Sequence, residues 1–340
     1  MGKIITSVIK PFAIVKWAGK EISAELAPFV GSLTYTDVLD SDKVGTDTVS
    51  LTLNNNDGRF FDSWYPDEGD TLECGIGWYD DKGNRGSWLW GMFSIDSVTF
   101  AVNPNKVTVS ANAKPATRGK IDNKESKTFE KTSFLTLAQD IAKQVGVEVL
   151  ISPTARDVEY ARVQQRDENT LGMLGRLAHE NSIPVAIKGN QLVVGEINHS
   201  ELVLDIQRRD VLLNATLPVS NRTKYDGITV HYFNELEQVF GSFSVGNVQS
   251  GAKVKELYPE IHTLEEAKAY AQNYMATGSG NNTKQMARGR MSLVNTTVTT
   301  ADVIKLINAG KLPDKWKPTT VSTSLTGSGW QSTVNVQRQS

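Results

Sequence analysis

Between Leu33 and Ala113 the chain repeats one pattern, in which short runs with every second residue apolar are separated by turn-forming clusters. A two-residue period sends alternate side chains to opposite faces of a strand, so each run buries one face and wets the other. Val49, Leu51 and Leu53 alternate in this way with Ser50 and Thr52. The run stops at Asn54-Asn55-Asn56-Asp57-Gly58, whose short polar side chains tolerate left-handed backbone. Alternation returns at 71–78, at 91–98 and at 106–111, broken by Asp81-Lys82-Gly83-Asn84 and by Pro104-Asn105. Short strands spaced by turn chemistry predict a β-sandwich or small barrel.

The rest of the chain divides by period. The segment 114–127 is polar, charged and nearly free of apolar residues, which predicts a surface connection. Ser133 is placed to cap a helix with Phe134, Leu137, Ile141 and Val145 on one face and Gly146 as its left-handed stop. Residues 147–151 form an apolar run of strand length, and a second helix is expected from Asn169, with Leu171, Leu174 and Leu177 inward. Gly172 and Gly175 weaken that helix by about 1 kcal/mol each relative to Ala, a cost that close packing against a neighbour would explain. Gly189-Asn190 between two apolar runs predicts a hairpin.

From Glu201 the period returns to two, at Leu202, Leu204 and Ile206, at Ala215, Leu217 and Val219, and at Ile228 and Val230. Thr263 with Glu266 three residues on is a capping-box pattern that opens a helix insertion around 263–277, followed by a stretch of flexible-loop composition to Thr283. Strands resume at 291–298, 321–325 and 333–336. The predicted class is therefore mainly β with an α+β insertion. Residues 1–115 make a first β-barrel domain, 116–199 a helix and hairpin module, and 200–340 a second β-barrel domain. Two similar, superposable barrels are expected, and one continuous sheet would count against their being a duplication.

Several functions are disfavoured by composition. The 36 Lys and Arg against 38 Asp and Glu leave a net charge of −2, so no basic nucleic-acid footprint is present. Apolar runs stop far short of the roughly 20 residues of a membrane helix. The first ten residues lack the long apolar core of a signal peptide. Cys74 is the single cysteine, which excludes an internal disulfide, and its place in an alternating run predicts a small buried hydrophobe.

Candidate chemistry is sparse. Asp40 and Asp42 open like a calcium loop, but the twelfth position, where the loop needs an acid, is Leu51. His179, His199, His231 and His262 show no metal-ligand spacing. No nucleophile elbow is present, since the glycine-rich Gly327-Ser328-Gly329-Trp330 lacks the closing glycine. Asp67, Glu68 and Asp70 after Pro66 fit a hydrated turn as well as a glycan-cleaving pair. No catalytic, cofactor or metal residue is assigned. Trp64, Tyr65 and Trp330 are the candidate interface residues, because aromatic side chains beside polar loops recur at protein interfaces and sugar sites.

The residues of the first region also carry a resemblance. The runs LTLNNNDGRFFD, GDTLECGIGWYDDKG, GMFSIDSVTF and KVTVSANA, in this order, resemble the amino-terminal domain of the phage late-control D proteins, the baseplate hub proteins of contractile tails and R-type tail-like bacteriocins. The similarity continues in order through 132–153, through 165–196 and through 320–336 with its GSGWQST. The resemblance implies a homotrimer in which each chain supplies two tail-tube-like barrels, so that a three-fold spike meets a six-fold tube. The implied partners are the tail tube or a tube-initiator protein, the central spike, and further the tape-measure protein and baseplate wedge. It implies no cofactor, assembly in the bacterial host cytoplasm and a final place in the particle baseplate. A hub with its own peptidoglycan-cleaving activity and a carbohydrate-binding β-sandwich using Trp64, Tyr65 and Trp78 are the rival readings.

Overall fold

The computed structural model describes the chain except residues 1, 7, 19, 40–43, 63, 67–69, 114–122, 182, 198–199, 219–224, 235–236, 277–287 and 339–340. Most of the described residues are in strands, and the mainly β class with a helical insertion stands. The alternating runs pair in antiparallel order. Val30–Val38 lies beside Thr48–Asn54, with Leu33 opposite Leu51, and Thr48–Asn54 beside Lys106–Asn112, with Leu51 opposite Val109. Arg85–Ala101, Thr71–Asp80 and Ile9–Trp17 follow in turn. The inward set Val15, Leu33, Leu51, Leu72, Phe93 and Val109 makes the first apolar core.

The second β region is joined to the first rather than separate from it. Lys315–Thr326 pairs with Val30–Val38 on one side and with Gly329–Arg338 on the other. Arg288–Val294 and Leu212–Thr216 extend the ladder, giving one thirteen-stranded sheet among the described residues. A second core of Leu204, Met291, Ile304, Trp316, Val321, Val334 and Val336 sits on that sheet. The last hairpin serves both cores: Val321 faces Val334 in the second, while Leu325 faces Trp330 in the first. One alternating face thus runs from core to core. Periodicity predicted the strands, but a shared hairpin is invisible to it, and the continuous sheet counts against two independent, superposable units.

Ile228 and Val230 belong elsewhere than expected. They lie in a separate three-stranded sheet of Gly227–Asn234, Val239–Gly246 and Val254–Leu257, against which the helix Leu264–Ala276 packs Ala267 and Ala271. A period of two identifies a strand without saying which sheet it joins. The insertion is accordingly a strand and helix unit, larger than the helix alone. Thr263 Oγ1 accepts from Glu266 N at 3.2 Å as a capping box requires, but the Glu266 carboxylate accepts from His262 N and from Ala161 N at 2.8 Å, tying the unit to the helical module. The loop composition of 277–283 lies outside the described residues.

The helical module follows its sequence signals. Ser133 Oγ accepts from Thr136 N, the helix Phe134–Val145 buries Phe134, Leu137, Ile141 and Val145, and Gly146 ends it at φ 79°. Asn169 caps Thr170–Glu180 by accepting from Gly172 N at 2.6 Å. A Cβ at Gly175 would lie 3.3 Å from both Cγ2 and the backbone N of Val44, which accounts for a glycine inside that helix. The hairpin Val185–Lys188 and Gln191–Val194 turns at Gly189, φ 56°, and takes Glu148–Ile151 as a parallel neighbour. Gly45–Thr46, from the first region, adds a parallel strand on the hairpin's other side. The long antiparallel pair Glu125–Ser133 and Glu159–Glu168 was not expected, because its many charged residues hide the period.

Candidate functional site

Where the first region, the hairpin and the second region meet, the apolar pattern is interrupted by charge. Leu33, Tyr35 and Asp37 share one face of Val30–Val38, and all three are buried. Asp47 precedes the buried Val49 and Leu51 in the same register. The hairpin brings Lys188 Nζ onto Asp37 Oδ1, and to 3.1 Å from Asp47 Oδ1. Tyr35 OH donates to Asp47 Oδ2 at 2.8 Å and Val38 N to Asp47 Oδ1 at 3.2 Å. From the second region Thr300 donates to Asp37 through its backbone N and through Oγ1, each at 2.7 Å. Trp88, Leu89 and Trp90 complete the wall of a cavity of about 320 Å³ beside the cluster.

Burial dominates the electrostatics there. It pushes the Asp47 carboxyl up to about 6, with the Asp37 charge adding to the rise and Lys188 opposing it. Tyr35 is raised well above its ordinary range by burial and then by the two carboxylates. Lys188 stays raised although burial works against its charge, because Asp37 and Asp47 outweigh that penalty.

The predicted interface residues separate. Trp64 is half-buried in a cluster with Phe29 and Phe60, ring centroids at 6.1 and 5.7 Å, and the Arg59 guanidinium lies 4.1 Å over Phe29 and 4.9 Å over Trp64. Tyr65 is 56% exposed and stacks on Phe100 at 5.6 Å, with Phe61, itself exposed, on the same ring at 5.4 Å. Trp17, Ile22, Phe60, Trp64 and Tyr65 line an adjoining groove of about 290 Å³. Trp330 corrects the expectation of an interface side chain: at 2% exposed it is wedged between Trp78 at 5.5 Å and Trp88 at 5.8 Å, inside the first core. Its glycine-rich turn suggested a surface loop, but the alternation of the following strand points it inward. Of the rings of the proposed sugar platform, Trp78 packs on the buried Trp330 and Trp64 on Phe29 and Phe60.

Other candidates resolve quietly. Cys74 is buried, and burial followed by the Glu73 charge pushes its thiol up to about 12, the reverse of a reactive cysteine. Leu51 is a core residue, while Asp40 and Asp42 of the calcium pattern, Asp67, Glu68 and His199 lie outside the described residues. Asp70 accepts from Trp17 Nε1 at 2.6 Å. His231 Nε2 meets Glu256 and its ring stacks on Tyr258 at 4.6 Å. Among the described residues no group of His, Cys, Asp and Glu is arranged to hold a metal ion, and no helix is long and apolar enough to cross a membrane.

Comparison with solved structures fits the whole of this architecture. A 43-kDa prophage tail protein from Shewanella oneidensis superposes with a TM-score of 0.65 over 97% of this chain and 98% of its own, at 15% identity. A tail protein from Neisseria meningitidis gives 0.65 over 96% of both chains at 11% identity. The fold is that of phage tail proteins. A component of the Escherichia coli type VI secretion system, described as similar in structure to bacteriophage T4 tail proteins, matches at 0.51 over 100% of this chain and 77% of its own, at 10% identity. In sequence, the chain is 24% identical over 189 residues to the probable baseplate hub protein of Escherichia phage P2, covering 55% of this chain and 46% of the relative. The corresponding protein of Escherichia phage 186 is 22% identical over 187 residues, 54% and 45% of the two. The chain therefore spans about half the length of the curated relatives it matches. No family model matches it. The resemblance to baseplate hub proteins seen in the first-region residues thus has curated counterparts.

Proposed function

We propose that this chain is a structural baseplate hub of a tail or tail-like particle, working by shape and buried contact rather than by catalysis. The observation that carries the reading is the end-to-end correspondence with tail proteins, over 97% of this chain and 98% of the neighbour, together with similarity to two probable hub proteins. In the finer form of the proposal three copies assemble. Each chain carries two β cores on one sheet, so a trimer presents six cores toward a six-fold tube while keeping three-fold symmetry toward a spike. The shared last hairpin sets the angle between the two cores of each chain, a constraint that separate barrels would lack. The tube or its initiator, the spike, the tape-measure protein and the baseplate wedge are the partners in this scheme. The exposed rings of Phe61 and Tyr65 on Phe100 are the surface offered to one of them.

Native mass measurement of the chain co-expressed with the tube and spike proteins of its own particle tests the proposal. Three copies are expected, contributing about 112 kDa from a 37.3-kDa chain. Two or six copies would reject the adaptor scheme. Release of soluble fragments from purified cell wall by the same preparation would reject the non-catalytic reading.

A further inference from the structure

The junction of Asp37, Asp47 and Lys188 has a charge imbalance. Asp37 and Asp47 are 2% and 3% exposed and share the single ammonium of Lys188. The other described residues that line the adjoining cavity or bond the cluster are neutral at ordinary pH: Tyr35 and Val38 on one strand, Trp88, Leu89 and Trp90 on Arg85–Ala101, Gly189 on the hairpin, and Thr299, Thr300 and Ala301 from the second region. Asp302 is near in sequence, but its carboxylate is taken up by Gly2, Ser200 and Thr299. Two buried carboxylates against one ammonium leave one negative charge uncompensated in a poorly solvated place.

We propose that the junction is an acid-tightened latch, in which Asp47 Oδ2 takes up a proton from solvent on mild acidification and the neutralised cluster then holds both β regions to the helical module more firmly. The hydrogen bonds select the atom. Asp37 Oδ1 accepts from the Lys188 ammonium and from Thr300 Oγ1, and Asp37 Oδ2 from the Thr300 backbone N. Asp47 Oδ1 accepts from Val38 N and from Lys188. The ammonium and the backbone N–H groups cannot turn into acceptors, and each of these three oxygens faces at least one of them. Asp47 Oδ2 alone among the four oxygens is bonded only by a hydroxyl, that of Tyr35, which rotates to accept when the carboxyl is protonated. The neighbouring cavity of about 320 Å³ gives water a route to the cluster. The rise of Asp47 to about 6 under burial and the Asp37 charge is in keeping with this geometry.

A carboxyl whose folded-state value is raised stabilises the fold fully below its unfolded value, and that contribution is lost as pH rises through the folded value. For Asp47 the window runs from the ordinary carboxylate range to about 6. Thermal unfolding of the full chain between about pH 4 and pH 8 should show the midpoint falling across that window. Asp47→Asn, which presents a neutral amide to Tyr35, should remove this step. An unchanged step in Asp47→Asn would overturn the proposal. If that variant does not fold, carbon-13 NMR of the wild-type chain labelled at aspartate carboxyls decides: one resonance with a midpoint near 6 supports the latch, and all aspartates titrating within the ordinary carboxylate range sinks it.

Discussion

Lys188→Met is expected to destabilise the fold by about 3–5 kcal/mol at neutral pH, the usual consequence of removing one partner of a buried ion cluster. The side chain of Lys188 is only 22% exposed, and its ammonium is the one cation that reaches both Asp37 and Asp47 among the described residues. Without it Asp37 retains Thr300, and Asp47 retains Tyr35 and Val38 N, but two like charges face one another with no counter-ion. Burial and the Asp37 charge then raise the Asp47 carboxyl with no ammonium opposing them, so the variant's deficit grows as pH rises and shrinks as Asp47 protonates. Denaturant midpoints at mildly acidic and mildly alkaline pH measure this. Adding Asp37→Asn to Lys188→Met should recover part of the loss. A loss under about 1 kcal/mol, or one independent of pH, would mean the junction is wetter than its burial implies.

Trp330→Ala is expected to cost about 3–5 kcal/mol, the range for truncating a large aromatic in a packed core. Trp330 is packed against Trp78 and Trp88 and pairs across the last hairpin with Leu325, so the cavity opens in the hairpin shared by the two cores. Tyr65→Ala, at an exposed ring, should change stability by no more than about 0.5 kcal/mol while lowering the yield of assembled particles. The pair separates fold from interface. If Trp330→Ala were as stable as the parent, the placement of that tryptophan would be wrong.

Much of the fold was legible because local chemistry and final structure agree. Ser133 and Gly146 bracket a helix by cap and left-handed stop, and Gly189-Asn190 turns a hairpin, since each signal acts within a few residues. The joining of the two β regions was not legible, because the alternation of 315–338 is the same whether its inward face serves one core or two. Nor does a period of two say that Ile228 and Val230 belong to a third sheet. The polar junction did leave a trace, an aspartate on the apolar face of Leu33 and Tyr35 and another in register with Val49. The cation that answers them comes from 151 residues further on, a separation no local pattern spans. The aromatic Trp64 and Tyr65 beside a turn are visible in the sequence, whereas the stacking of Tyr65 on Phe100, and the approach of Phe61 to that same ring, come only from the folded arrangement.

In the proposed arrangement the chain sits at the tip of a tail and not along it. Cryo-electron microscopy of purified particles from a strain that makes this chain, with the three-fold and six-fold regions reconstructed separately, tests it most directly. The expected result is three copies at the baseplate, between tube and spike, with both β cores facing the tube. Density for the chain repeating along the tube, or particles fully assembled without it, would contradict the account.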